Sequence, residues 1–254
     1  MSGIPATDLE ISVVIPCLNE ETTIGVCVAK AKSAIVKLGV AGEVIVVDNG
    51  STDRSASVAA AAGARVVKEP RRGYGQAYLT GFAHARGKYL VIGDADDTYD
   101  FSDLSGFVAP LRGGYDMVMG TRLKGRIEPG AMPWHHRWIG VPVLSAILNI
   151  LFSARVSDAH CGQRALTAEA ARALKLRTTG MEFASEMIIK AARRGLKIAE
   201  IPITLHKGGR PGRPHLRSFR DGWRHLKMMF MLSPTHLFVI PGAGMLAKIN
   251  AALR

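Results

Sequence analysis

The chain has 254 residues, of which 48% are hydrophobic, and a formal net charge of +12. That length suits one large α/β domain with appended elements, and that apolar content excludes intrinsic disorder. Cys17, Cys27 and Cys161 show no CxxC spacing, which excludes a disulfide framework and sets a reduced compartment as the default, while the charge calls for an anionic partner.

Met1 to Glu10 carries Asp8 and Glu10 and no apolar run, so it reads as a tail, not a signal peptide. From Ile11 onward, short β-branched runs alternate with helical stretches. Ile11–Ile15, Glu43–Val47, Ala64–Val67, Tyr89–Ile92 and Met117–Met119 read as strands; Glu21–Leu38, Thr52–Ala62, Gly75–Arg86 and Ser102–Leu111 read as helices. Apolar strands alternating with helices imply a mostly parallel sheet covered on both faces. Ligands then belong at the carboxyl ends of the strands.

Those ends are polar. The first runs into Pro16-Cys17-Leu18-Asn19-Glu20, the second into Asp48-Asn49-Gly50-Ser51, the fourth into Gly93-Asp94-Ala95-Asp96, and the fifth into Gly120-Thr121-Arg122. After Arg126 the pattern changes. Trp134–Phe152 is mostly apolar, Ser157–Thr167 reads as a turn feeding a short strand, Ala168–Leu174 and Glu182–Arg194 as helices, and Leu196–Thr204 as a last strand. His206–Lys227 is basic, and Met228–Leu246 carries no Asp, Glu, Lys or Arg.

Asp94 and Asp96 flank a small residue just after a buried strand. Two neighbouring carboxylates repel unless a cation sits between them, and hard oxygen ligands suit Mg²⁺ or Mn²⁺ with phosphate and water completing the shell. The bland alternative is a solvated loop with capping aspartates. Asp48, at a strand end, can accept from a base N–H or a ribose hydroxyl, whereas Asp53 can simply serve the first turn of the following helix. Arg71-Arg72-Gly73 precedes a helix, where arginines and backbone N–H groups can meet a diphosphate. No GxGxxG follows the first strand, which speaks against a dinucleotide-binding dehydrogenase.

The segments VVIPCLNEE, VIVVDNGSTD, GYGQAYLTGF, YLVIGDADDTYDF, MGTRL, DAHCGQRAL and LKIAEIPITL resemble glycosyltransferase family 2, and within it the polyprenyl-phosphate (dolichol-phosphate) mannosyl and glucosyl transferases. The resemblance spans residues 11 to about 227. It implies an α/β GT-A fold over residues 11–212, a nucleoside-diphosphate sugar donor such as GDP-mannose or UDP-glucose, inversion at the anomeric carbon, and Mg²⁺ or Mn²⁺. It also implies that Pro16, Leu18, Glu20, Asp48 and Ser51 line the nucleoside pocket with Arg72 and Gly73 nearby, that Asp94 and Asp96 hold metal and diphosphate with Ala95 between them in the nucleotide-sugar site, and that Arg122 faces the phosphates or the acceptor. Asp158 falls near the transferred sugar. Three positions depart from the family pattern: Thr98 stands where Gln is usual, Gln163 replaces Phe in a Gly-Phe-Arg segment, and Ser185-Glu186 replaces a base-supplying acidic pair. The last departure favours a phosphate acceptor, already anionic with a second pKa of about 6. Asp158 and Glu186 remain reserve bases.

Arg213, Arg217, Arg220, Arg224 and Lys227 recur at steps of three and four, placing them on one face of a helix with Pro214 in its first turn. A solvated basic face is the plain alternative. Beside the apolar 228–246 run, and with Trp134 and Trp138 opening a candidate interfacial helix over 134–153, the stripe points to an anionic membrane surface and to arginines that hold a lipid phosphate. Pro234, His236, Pro241 and Gly242 interrupt the run and favour peripheral or re-entrant attachment of residues 213–254 at the cytoplasmic face, or a span cut short, since relatives continue into transmembrane helices where this chain stops. The expected partners are donor, polyprenyl phosphate and bilayer; a second copy of the chain is admitted. A soluble family-2 transferase acting on a small hydroxyl acceptor is the rival enzyme. Nucleic-acid binding ranks last, because aromatics are only 6% and no aromatic–basic sheet face is evident.

Overall fold

A computed structural model describes residues 9–209, 218–235 and 240–252. Among them a seven-stranded sheet has the order β3-β2-β1-β4-β6-β5-β7. Its strands are β1 (Ile11–Cys17), β2 (Gly42–Asp48), β3 (Arg65–Lys68), β4 (Tyr89–Ile92), β5 (Met117–Ile127), β6 (Arg164–Thr167) and β7 (Ile198–Leu205). All run parallel except β6, which pairs antiparallel with both β4 and β5.

The period-two rule of a strand divides the core. Ile11, Val13 and Ile15 of β1 pack with α1 (Ile24–Lys37) and α4 (Ser105–Arg112) on one face. Val14 packs on the other face with α3 (Tyr74–His84), α5 (Val141–Phe152) and α7 (Phe183–Arg193). Both faces are therefore apolar, which is why β1, β2 and β4 appear in the sequence as continuous hydrophobic runs. Two short helices, α2 (Ser55–Ala61) and α6 (Ala168–Leu174), complete the layers.

Two differences from the sequence reading bear on the site. β5 continues to Ile127, beyond the expected Met119, because a bulge between Thr121 and Arg126 lets its second half rejoin β7. That half is largely exposed and so has no apolar signature. β6 then lies between β4 and β5, so the end of β5 is not beside the end of β4.

The helix α8 (Ser218–Met231) carries Arg220, Arg224 and Lys227; Arg213, Pro214 and Arg217 lie outside the described residues. The apolar run is not one element, since α8 ends at Met231 and α9 (Ile240–Ala252) begins at Ile240. Among the described residues no helix is long and apolar enough to cross a membrane. A single π-helical turn, His136–Gly140, leads into α5, and Trp134 and Trp138 are each 69% exposed.

Candidate functional site

The strand order reverses at β1, with β2 on one side and β4 on the other, so the loops leaving β1 and β4 diverge and open a crevice. A cavity of about 370 Å³ lies there. The β1 loop contributes Pro16, Cys17, Leu18 and Glu20; the β4 loop contributes Asp94, Ala95 and Asp96; Asn49, Gly73, Tyr74 and Ala77 come from the β2 end and α3. Gly180 and Met181 precede α7, and Arg220, Asp221 and Arg224 come from α8.

Several hydrogen bonds fix this edge. Asn49, 5% exposed, donates from Nδ2 to the carbonyls of Glu69 and Arg71 at 3.0 and 2.8 Å and accepts from Gly73 N–H at 2.8 Å. It thereby holds the segment after β3 against the end of β2. Glu69 accepts from Arg71, Gln76 and Thr80, which stiffens the entry to α3. A Cβ at Gly73 or Gly75 would overlap the carbonyl oxygens of Thr179 and Thr178, so bare backbone at both positions lets the 178–180 loop close over α3.

The two aspartates after β4 are each oriented by a hydroxyl. Tyr74 Oη donates to Asp94 Oδ1 at 2.9 Å, and Thr98 Oγ1 donates to Asp96 Oδ1 at 2.7 Å. Thr98, where the family pattern has Gln, thus serves Asp96 directly. Asp97 turns away to pair with Lys30 at 2.8 Å. The segment after β7 secures the loop from outside: His206 N–H donates to Thr98 O and Gly209 N–H to Asp96 O. Burial pushes the Cys17 thiol up to about 12, which leaves it an inert part of the cavity lining.

The acidic residues along this cavity are Glu20, Asp94, Asp96 and Asp221, and the basic ones are Arg220 and Arg224. Four negative and two positive groups leave a formal deficit that one divalent cation would cancel. Among the described residues no three His, Cys, Asp or Glu side chains gather into a protein-only metal cage. Two aspartates with oxygens to share fit instead an ion that keeps phosphate and water ligands, as Mg²⁺ and Mn²⁺ do.

Other expected site residues are placed differently. Asp48 and Ser51 stand beside the cavity: Asp48 Oδ1 accepts from Ser51 N–H at 3.0 Å, and the Ser51 hydroxyl accepts from Asn19 N–H at 3.1 Å, tying the β1 and β2 loops together. Asp53 accepts from Ser55 and from Glu21 N–H, the bland role open to it. Arg72 reaches back to the Gly50 carbonyl at 3.2 Å and does not line the cavity, and Gly73 spends its N–H on Asn49.

Arg122 and Asp158 are engaged with each other. They form a buried two-pronged ion pair, with Arg122 Nε and Nη2 each 2.7 Å from Asp158, and the Arg122 N–H adds a third bond at 3.1 Å. With β6 inserted between β4 and β5, this pair braces the bulge in the middle of β5 and neither residue lines the cavity. Asp158 is fully buried and both its oxygens accept from Arg122, so this carboxylate is committed to the ion pair. Glu186 is engaged in the same way. Its carboxylate accepts from Arg177 N–H, Thr178 N–H, the Thr178 hydroxyl and Lys190 Nζ. Burial alone would raise its pKa, but these donors hold it below the usual carboxylate range.

Sequence reasoning missed Asn49, Tyr74, Met181 and Asp221. Asn49 carried a signal, since an amide directly after a buried strand usually has a backbone to satisfy. Arg164 was passed over as well: it is 1% exposed and donates to the carbonyls of Cys161, Ala159 and Ala184, clamping the 159–163 loop to α7.

The profile described as Glycosyl transferase family 2 matches residues 12–174. The chain is similar to the low-salt glycan biosynthesis hexosyltransferase Agl6 of Haloferax volcanii, at 46% identity over 92% of this chain and 56% of that protein, so it spans little more than half of that relative's length. It is 33% identical to the dolichyl-phosphate hexose transferase of the same organism, over 84% of this chain and 89% of that one. Among solved structures, glucosyl-3-phosphoglycerate synthase from Mycobacterium tuberculosis, in complex with Mn²⁺, uridine-diphosphate and glucosyl-3-phosphoglycerate, aligns with a TM-score of 0.68 at 25% identity, covering 89% of this chain and 80% of that one.

Proposed function

From the premise that the chain belongs to glycosyltransferase family 2, we propose that it transfers a hexose from a nucleoside-diphosphate sugar, UDP-glucose or GDP-mannose, to a polyprenyl phosphate at a membrane surface. The observation that carries this reading is one cavity lined both by the paired aspartates after β4 and by Arg220 and Arg224 of α8. Carboxylates there suit a cation and its diphosphate; guanidiniums suit a second phosphate.

A bound Mg²⁺ or Mn²⁺, held by Asp94 and Asp96, would supply positive charge at the diphosphate oxygens. The chain's own residues do the rest. Pro16, Leu18 and Glu20 flank the nucleoside, and Arg220 and Arg224 orient the acceptor phosphate. An acceptor oxygen forms a bond to the anomeric carbon from the side opposite the diphosphate, whose C–O bond breaks and keeps its electron pair. No proton need be removed, because a phosphate monoester is already anionic near neutrality. The engagement of Asp158 and Glu186 in structural contacts favours this acceptor over a sugar hydroxyl, which would need a positioned base.

Membrane contact is part of the same proposal. Trp134, Trp138, Phe219 and Trp223 are exposed, and Arg137 lies over the Trp138 ring at 5.1 Å. Aromatic and basic side chains together suit an anionic headgroup region, here assigned to the cytoplasmic face. A soluble transferase acting on a small hydroxyl acceptor is the second reading, favoured by the likeness to glucosyl-3-phosphoglycerate synthase. Calorimetry with UDP and GDP, with and without Mn²⁺, tests the donor half: Asp96→Asn is expected to abolish metal-dependent binding of one nucleotide, and unchanged binding refutes the assignment. Co-sedimentation with anionic liposomes tests the membrane half, with Trp134→Ala/Trp138→Ala expected to release the protein.

A further inference from the structure

We propose that Tyr74 is a positioning residue for the cation end of the site, its hydroxyl fixing the Asp94 carboxylate in the orientation that receives a divalent ion. The inference rests on the assignment of Asp94 as a metal ligand. Tyr74 opens α3, and its Oη donates to Asp94 Oδ1 at 2.9 Å. Its ring meets Tyr78 edge-on, with centroids 5.0 Å apart at 84°, and Tyr78 stacks on Phe183 at 5.4 Å and 7°. This aromatic ladder joins α3 to α7 and fixes the phenol from behind.

The backbone around Tyr74 is equally constrained, since a Cβ at Gly73 or Gly75 on either side would collide with the Thr179 or Thr178 carbonyl. The far side of the carboxylate is bounded too. A Cβ on Gly162 would come within 2.7 Å of Asp94 Oδ2. One oxygen is therefore held by a hydroxyl and the other lies where a side chain at 162 would crowd it, so the orientation of the carboxylate is constrained from both sides. Ligating carboxylates are commonly held by outer hydrogen bonds of this kind. Thr98 does the same for Asp96. Tyr78 provides an internal control. Its ring belongs to the same ladder and is fully buried, yet its hydroxyl makes no hydrogen bond to either aspartate.

The test compares Tyr74→Phe, Tyr78→Phe and Asp94→Asn for Mn²⁺ affinity, read by electron paramagnetic resonance at saturating UDP, alongside thermal melts. Tyr74→Phe is expected to weaken Mn²⁺ by roughly 10–100-fold and to leave metal-free UDP binding unchanged, while Tyr78→Phe binds as the parent does. Gly162→Ala reaches the same carboxylate from the other side and is expected to weaken Mn²⁺ as well, which keeps the test open if Tyr74→Phe folds poorly. Parental Mn²⁺ affinity in folded Tyr74→Phe, with Asp94→Asn impaired, overturns the role of Tyr74, and parental affinity in folded Gly162→Ala overturns the constraint on the other oxygen. Parental affinity in Asp94→Asn instead overturns the assignment of Asp94 on which it rests.

Discussion

Asp158→Asn separates a brace from a base. Asp158 is fully buried and accepts three hydrogen bonds from Arg122, at 2.7, 2.7 and 3.1 Å. Asparagine keeps the shape but removes the charge and turns an amide donor toward a guanidinium that only donates. A buried charge left without its partner costs about 3–5 kcal/mol, which for a chain of this size lowers the melting temperature by roughly 6–20 °C. Guanidinium melts followed by circular dichroism would measure the loss. The double variant Asp158→Asn/Arg122→Met, which removes the stranded charge, is expected to recover much of it. If Asp158→Asn cost under about 1 kcal/mol while abolishing turnover, the brace would be wrong and Asp158 would return as a catalytic base.

Glu186→Gln is expected to cost about 1–3 kcal/mol of stability, the usual cost of unsatisfied buried groups, and to leave kcat near the parent; the opposite pattern in melts and turnover would restore it as a catalyst. Gly75→Ala presses on the Thr178 carbonyl and should cost about 1–3 kcal/mol with weaker UDP binding, whereas parental values of both would show that the 178–180 loop has slack. His225 hydrogen-bonds Ser185 at 2.7 Å, and burial first, then Arg164, lowers its pKa to about 4. An unfolded histidine protonates near 6.5, so the unfolded chain binds the extra proton first. Stability is therefore complete above pH 6.5 and falls as the pH drops toward 4, by at most about 1.4 kcal/mol per unit for this group. His225→Asn should make the melting temperature less steep between pH 7 and 5, leaving the like-signed contribution of the buried His160 beside it, and an unchanged slope would exclude His225 as a cause.

The strands and the site were legible to different depths. β1, β2 and β4 are apolar on both faces, so their positions and the polar residues after them could be read directly, and the cavity does gather the 16–20 and 94–96 loops. Sheet order could not be read. The short antiparallel β6 looks like any other four-residue apolar run, yet its insertion displaces Arg122 from the crevice. The family resemblance likewise pointed to the carboxylates of Asp158 and Glu186 without revealing their donors, which come from residues both near and far along the chain. Helical periodicity placed Arg220 and Arg224 on one face of α8. That this face carries them to the cavity follows from the packing of α8 on α5 and α7, a tertiary contact with no local signature.

Transfer itself is the most direct test. The purified chain is incubated with radiolabelled UDP-glucose or GDP-mannose, Mn²⁺ and a polyprenyl phosphate in anionic liposomes, and the organic phase is counted. The expected result is one donor giving an organic-soluble, acid-labile product of inverted anomeric configuration, absent with Asp96→Asn and reduced with Arg220→Glu/Arg224→Glu. Label appearing only in a water-soluble glycoside, with none in the lipid phase for either donor, would contradict a polyprenyl-phosphate acceptor.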